Sequence, residues 1–172
     1  MDAYLAIASR REVRDYAERP IPAEVQRRIL EAGRVAGSSR NRQPWRFVAT
    51  EDRERLDALA GTVFVPANLR GCPLAIAVAV PADAHPIAFF DAGRAAQNIM
   101  LAAWSEGVGS CPNGMTDRQR TAALLELEDA LAPAILLSLG YPARPRDPAA
   151  RSPEAWLERV ERLPYEEVVR RV

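Results

Sequence analysis

Three short stretches of this chain carry side chains able to hold a charged or planar ligand. Arg10, Arg11 and Arg14 lie within one run, Arg10-Arg11-Glu12-Val13-Arg14. At i, i+4, positions 10 and 14 are expected to share one helical face, where like charges repel unless an anion lies between them. A planar guanidinium fork matches a pair of phosphate oxygens, so phosphate is the natural anion; the alternative is a solvated face neutralised by Glu12 and Asp15. The second stretch is Ser38-Ser39-Arg40-Asn41-Arg42-Gln43-Pro44-Trp45-Arg46-Phe47. Its hydroxyls and carboxamides offer donors and acceptors to a polar planar ligand, Pro44 keeps the exit extended, and Trp45 supplies an apolar anchor. A turn whose serines cap helix-terminal amides would use the same residues. In the third, Gly107-Val108-Gly109-Ser110-Cys111-Pro112-Asn113-Gly114, glycines let the backbone approach a ligand and present amide hydrogens, or simply connect a helix to a strand.

The residues that are scarce narrow the chemistry further. All 23 basic residues are arginine. With no lysine there is no Schiff-base enzyme and no phosphate-loop lysine for a nucleoside triphosphate. One histidine and two cysteines cannot build a four-ligand Cys/His zinc site or an HExxH motif, so no metal is expected. A Ser-His-Asp or Cys-His nucleophile would need His85, which sits in Asp83-Ala84-His85-Pro86 with no Gly-x-Ser-x-Gly context. A formal net charge of zero gives no long-range field for nucleic acid or an acidic membrane. The longest apolar runs, Leu74 to Pro81 and Leu131 to Leu139, are too short to span a bilayer. Cys72 and Cys111 make no disulfide framework and Met1-Asp2-Ala3-Tyr4 opens no signal peptide, so a cytoplasmic protein with reduced thiols is expected.

The elements that must position these stretches follow from periodicity. A length of 172 residues suggests one domain with a real core. Asp2 to Ser9 has helical spacing, and Pro22 opens a helix through Val35 with Val25, Ile29 and Ala32 on one face. Arg46 to Thr50 reads as a strand and Arg53 to Ala60 as a short helix. Leu74 to Val80 lacks any polar member, as a strand covered on both faces should. A long helix runs from about Phe90 to Glu106 and ends at Gly107. Thr121 to Ala130 reads as a helix, Ala134 to Leu139 as a strand, and the Pro/Arg-rich segment from Ala143 to Pro153 as an extended arm. Alternating elements in one block give an α+β or α/β class.

Taken together, and in this order, the three stretches resemble the FMN-dependent nitroreductase family. Arg10-Arg11-Glu12-Val13-Arg14 resembles its Arg-Arg-Ser-x-Arg phosphate motif, and Ser38 to Phe47 is similar to its Pro-Ser-Ser-x-Asn-x-Gln-Pro-Trp-x-Phe signature. Asp91-Ala92, Gln97 to Ala103 and Gly107 to Cys111 resemble its central helix and flavin-facing loop. Leu139-Gly140-Tyr141-Pro142 and Arg162 to Val169 resemble its closing strand and terminal Arg-x-Pro-Leu-Glu-Glu segment. Two positions depart from the pattern: Glu12 stands where the family has serine, and Gly37 where it has proline.

The resemblance implies an α+β fold: a three-layer α/β/α sandwich around a mostly antiparallel sheet, in an obligate-type homodimer. Residues 1–172 would form a single domain, with 143–172 an extended carboxy-terminal arm and closing segment. It implies an FMN-dependent oxidoreductase taking hydride from NADH or NADPH. Flavin N5 rather than a catalytic side chain would pass it, in ping-pong fashion, to nitroaromatic, quinone or enone-like acceptors. Other branches of the resemblance are flavin fragmentation, dehalogenation, oxidation of a biosynthetic intermediate, or flavin binding without catalysis. The implied flavin-binding set begins with Arg10, Arg11 and Arg162 on the phosphate, with Arg151 and Arg146 as alternatives to Arg162. Glu12 lies beside that group and Arg14 near the ribityl chain and pyrimidine edge. Ser38, Ser39 and Asn41 would face the flavin held mainly by the other subunit, with Gln43 at the ribityl or pyrimidine region. Pro112, Asn113 and Gly114 would cover one ring face, and Asn68 would lie close by.

Overall fold

The computed structural model describes residues 1–172 and divides into two compact units, Arg11–Arg146 and a smaller one made of Met1–Arg10 and Asp147–Val172. The larger unit is built on a four-stranded sheet of β1 (Arg46–Thr50), β2 (Leu74–Pro81), β3 (Gly109–Asn113) and β4 (Leu131–Gly140). The order is β1-β2-β4-β3 and every pairing is antiparallel. The apolar run of β2 sits inside because both of its faces are covered. Leu74, Ile76, Val78 and Val80 pack against α2 (Ala23–Arg34) and α5 (Ile87–Ser105). Ala75 and Ala77 face the other way, into a cluster with Leu56, Leu59 and Leu69 from α3 (Arg53–Ala60) and α4 (Ala67–Arg70). With α6 (Arg118–Leu124) on that second side, the result is the three-layer α+β sandwich.

Local chemistry explains where the elements depart from the periodicity. Gly109–Asn113 is a strand, although Gly, Pro and Asn disfavour one, because β4 supplies its hydrogen bonds and Pro112 is tolerated on a sheet edge. The helix expected over Thr121 to Ala130 is Arg118–Leu124 instead. Asp117 caps its start by accepting from the Arg120 N–H at 2.9 Å, and Glu126 beyond its end takes φ 54°. Strand β4 begins at Leu131 rather than Ala134, with an irregular register opposite Val78 and Ala79 where Pro133 has no N–H to give. The Pro133 carbonyl accepts instead from Arg118, tying α6 to the sheet.

In the smaller unit, Asp2 caps α1 (Ala3–Ser9) by accepting from the Tyr4 and Leu5 amides. Helix α1 packs on a 3₁₀ turn, Pro148–Ala150, and on α7 (Pro153–Leu157); α8 (Tyr165–Val168) follows. The expected extended arm is thus folded from residue 147 onward. Asp147 and Ser152 cap these turns, Pro148 and Pro153 start them, and Trp156 Nε1 donates to the Pro148 carbonyl at 2.8 Å. No helix is long and apolar enough to cross a membrane.

Candidate functional site

The arginine run is not helical. Helix α1 ends at Ser9 and Arg10 is already extended, at φ −60° and ψ 134°, so Arg10 and Arg14 share no helical face. The cause lies downstream. Glu12 forms a parallel bridge with Ser110, the Val13 amide donates to the Ser110 carbonyl at 3.1 Å, and Val13 lies over Gly109. A Cβ on Gly109 would come within 2.6 Å of the Val13 side chain, so glycine here is what lets the run approach β3. On its other side the segment is held by the sheet's exit: Ala17 N–H donates to the Tyr141 carbonyl at 2.8 Å, and Ala143 N–H to the Asp15 carbonyl at 3.0 Å.

A buried polar network fixes that segment. Tyr16 Oη donates to the Val13 carbonyl at 2.6 Å and lies 3.0 Å from Ser138 Oγ on β4. Asn113 Nδ2 reaches Ser138 Oγ at 3.2 Å and the Cys111 carbonyl at 3.0 Å, while Asn68 Nδ2 donates to Asn113 Oδ1 at 2.9 Å. Tyr16, Asn68, Asn113 and Ser138 are all buried. Burial pushes the Tyr16 phenol well above its ordinary range, so it stays a neutral donor. The carboxamide of Asn113 is therefore committed to the sheet and to Asn68, from whose Nδ2 it accepts; at this place the outward-facing groups are Pro112, Gly114 and the exposed ring of Phe64. Phe64 N–H donates to the Gly114 carbonyl at 3.1 Å, and its ring occupies the space beside Gly114.

Glu12, Arg14 and Asp15 line a cleft of about 200 Å³ with Pro142, Arg144 and Arg146. Three guanidinium groups face two carboxylates there, a locally cationic surface in a chain of zero net charge. One oxygen of Glu12, Oε2, is shielded from solvent. Of the three arginines considered for closing the phosphate site, Arg146 lines this cleft. Arg162 and Arg151 belong to the smaller unit, where Arg162 donates to the Glu161 carbonyl and Arg151 stacks on the Trp156 ring. Arg10 also belongs to that unit and is half-buried.

Ser38 to Gln43 forms a tight turn around a 3₁₀ segment, Ser39–Asn41. Ser38 Oγ accepts from the Gln43 N–H at 2.9 Å, and Gln43 Nε2 donates to Asn41 Oδ1 at 3.2 Å. Arg40, Asn41 and Gln43 all have positive φ, and the side chains of Asn41 and Gln43 are exposed. The turn leans on the first turns of α5, where the Ser39 N–H meets Asp91. Strand β3 begins just past the other end of α5, about 20 Å away along the axis at 1.5 Å per residue. The chain thus brings the arginine run and β3 together and holds the Ser38–Gln43 turn near the opposite end of α5. His85 is not part of either group: it precedes α5, and its Nδ1 accepts from the Ile87 N–H at 3.2 Å.

Residue-by-residue reading missed Tyr16, Ser138, Phe64 and the anchoring carboxylate of Asp91. Only Asp91 left a local signal, a charge on the otherwise apolar stripe Ala88, Ala92, Ala95 and Ile99.

Comparison with known proteins places these features in context. The model of the Nitroreductase family matches residues 7–66 and 62–141. A protein of Methanothermobacter thermautotrophicus bearing the provisional name NADH dehydrogenase/NAD(P)H nitroreductase is 33% identical over 150 residues, 83% of this chain and 78% of its own. The crystal structure of a nitroreductase family protein from Clostridium difficile 630 is 26% identical, with a TM-score of 0.81 over 99% of this chain and 98% of that one. An FMN-dependent nitroreductase of Clostridium difficile R20291, at 24% identity, shares the fold with a TM-score of 0.78 over 96% of this chain and all of its own.

Proposed function

Because the chain belongs to the Nitroreductase family, we propose that it is an FMN-dependent oxidoreductase that uses NADH or NADPH to reduce nitroaromatic, quinone or enone-like acceptors. The observation that carries this reading is the arginine run drawn against Gly109 and Ser110 of β3, beside which lies a guanidinium-lined cleft. The NAD(P)H reading draws on the names of relatives, and the FMN reading on the motif and on the description of one protein of the same fold.

The residues present fit a phosphorylated flavin. Arginine is ionised at every working pH and binds phosphate oxygens in pairs, so Arg144 and Arg146, which line the cleft with Arg14, suit that anion, and Arg11 lies in the same run as Arg14. The Glu12 carboxylate in the same cleft opposes this, and with Asp15 it is outnumbered there by three guanidinium groups. Arg10 and Arg162, which the resemblance assigns to the phosphate, lie in the smaller unit. FMN, when bound, supplies the redox chemistry, taking up hydride and passing electrons to the acceptor. Arg14 would hold the electron-rich pyrimidine edge, where negative charge is best met by a fixed cation. Pro112 and Gly114 would offer a flat, side-chain-poor surface to the ring, with Phe64 as its apolar border and the Gly114 amide as a donor. Asn68 and Asn113, turned inward, would hold the shape of that surface rather than touch the ring.

Ser38, Ser39, Asn41 and Gln43 would serve the site of a second copy. What supports a homodimer is their separation along α5 from the cleft in the same chain. The test is the visible spectrum of the purified protein with its elution volume, followed by anaerobic addition of NADH or NADPH. A yellow dimer whose flavin bleaches supports the reading. A colourless monomer that takes up no added FMN overturns it.

A further inference from the structure

Asp91 occupies a position where a carboxylate needs a reason. It is 2% exposed and shares the buried stripe of α5 with Ala88, Ala92, Ala95 and Ile99. A charge withdrawn from water persists only when hydrogen-bonded or paired. Its two neighbours are specific. Oδ2 accepts the Ser39 N–H at 2.9 Å, and Oδ1 lies 3.6 Å from Arg94 Nη1. The Arg94 guanidinium spreads over Gly37, and a Cβ at that position would collide with Nη2. Gly37, the position where this chain departs from the family's proline, thus leaves the space that Arg94 fills.

The turn beyond Gly37 needs such an anchor. Within four residues, Arg40, Asn41 and Gln43 take φ values of 53°, 55° and 49°, a left-handed region that side chains other than glycine seldom hold unless their surroundings fix them. The remaining hydrogen bonds of the turn are local, among Ser38, Ser39, Asn41, Arg42, Gln43 and Arg46. The bond from Ser39 to Asp91 is the one that ties it to the buried face of a long helix.

We propose that Asp91 is a positioning residue: its carboxylate, steadied by Arg94 in the space left by Gly37, holds the Ser38–Gln43 turn in the shape that meets the flavin. The proposal rests on the FMN reading above for its functional half. Its structural half, the ordering of the turn, can be read without any flavin chemistry.

Hydrogen–deuterium exchange of the 37–46 segment, followed by mass spectrometry, and FMN affinity from quenching of flavin fluorescence test both halves in the full-length protein. Loss of a hydrogen bond to a charged acceptor predicts that Asp91→Ala speeds exchange of the turn amides about tenfold and weakens FMN about tenfold, with β2 and β4 unchanged. Asp91→Asn keeps an oxygen for the Ser39 N–H and should recover most of both losses. Faster exchange spread evenly over the chain, or a loosened turn with unaltered FMN affinity, would reduce Asp91 to a core residue and overturn the proposal. If Asp91→Ala does not fold, Arg94→Ala serves, since that side chain is half exposed. It should loosen the turn by about threefold, and no change there would count against the clasp. A wild-type protein that binds no FMN would sink the FMN reading, while the exchange data would still decide whether Asp91 orders the turn.

Discussion

Two regions of this molecule present polar groups outward, and they are held in opposite ways. The segment from Arg11 to Ala17 is fixed by backbone pairing on both sides, to Ser110 and to Tyr141 and Ala143, with Tyr16 buried beneath it. The turn from Ser38 to Gln43 exposes the side chains of Arg40 to Gln43, bends through three left-handed residues, and has a single tie to a distant buried group. The first region carries Arg11 and Arg14, where a displaced cation would lose its paired geometry with an anion. The second also carries two guanidinium groups, Arg40 and Arg42, beside the carboxamides of Asn41 and Gln43, all of them exposed. The regions therefore differ in how the backbone is held: it is paired on both sides in the first and bent through left-handed residues in the second.

The sharpest way to break that comparison is to add one methyl group in each region. In Gly109→Ala the new Cβ meets the β-branched side chain of Val13 at 2.6 Å, and neither strand nor segment can yield cheaply. A loss of about 2–3 kcal/mol is expected, seen as a melting midpoint lowered by roughly 5–10 °C. Gly37→Ala meets only the end of the Arg94 side chain, which can swing away, and should cost under about 1 kcal/mol. Equal midpoints for the two variants would show that the Arg11–Ala17 segment is no more rigid than the turn.

Alkali should attack the buried region next. Burial raises the Cys72 thiol from 9.0 to about 11 and pushes the Tyr16 phenol up as well. For an acid whose folded pKa is raised, the unfolded chain releases its proton first. Stability is therefore full below pH 9 and falls as pH rises from about 9 towards 11. The thiol alone accounts for a loss on the order of 2–3 kcal/mol across that window. Urea midpoints measured at pH 8 and pH 10.5 check it, and Cys72→Ala should flatten most of the slope. A slope unchanged in that variant would assign the effect elsewhere.

What could be read in the sequence divides along the same line. The turn was legible because its parts are neighbours: Ser38, Ser39, Asn41, Gln43 and Trp45 form one contiguous pattern. The apolar run of β2 and the Val25 and Ile29 stripe of α2 were equally local. The arginine segment was misread as helical because the residues that straighten it, Gly109 and Ser110, lie about a hundred positions away. Tyr16 and Ser138 are 122 positions apart, and nothing near either announces the other. Strand β3 is composed of poor strand formers and is decided by β4. Asn68 and Asn113 are flavin-facing by the resemblance, and only the fold shows that one donates to the other.

Removing a single oxygen from the buried network tests whether it holds the arginine segment. Tyr16→Phe deletes the donor to the Val13 carbonyl and the neighbour of Ser138 Oγ, without opening a cavity. Buried groups left unsatisfied predict a loss of about 1–2 kcal/mol in urea denaturation. FMN affinity should fall along with it, since Val13 lies between Glu12 and Arg14. Stability equal to that of the wild type would mean that backbone pairing alone is sufficient.

The smallest effect has the opposite sign and belongs to the turn. Arg40 is exposed and held at φ 53°, ψ 26°, a conformation that costs a side chain about 1–2 kcal/mol and glycine almost nothing. Glycine also gives the unfolded chain more freedom, which takes back about 0.4–1 kcal/mol. The difference leaves Arg40→Gly more stable by about 0.5–1 kcal/mol, a rise of roughly 1–3 °C in melting midpoint. The same substitution at Arg14, outside the left-handed region, has no strain to relieve and should lower the midpoint instead. If Arg40→Gly also lowers it, the left-handed bend is not under strain, and the contrast between a clamped segment and a bent turn must rest on hydrogen bonds alone.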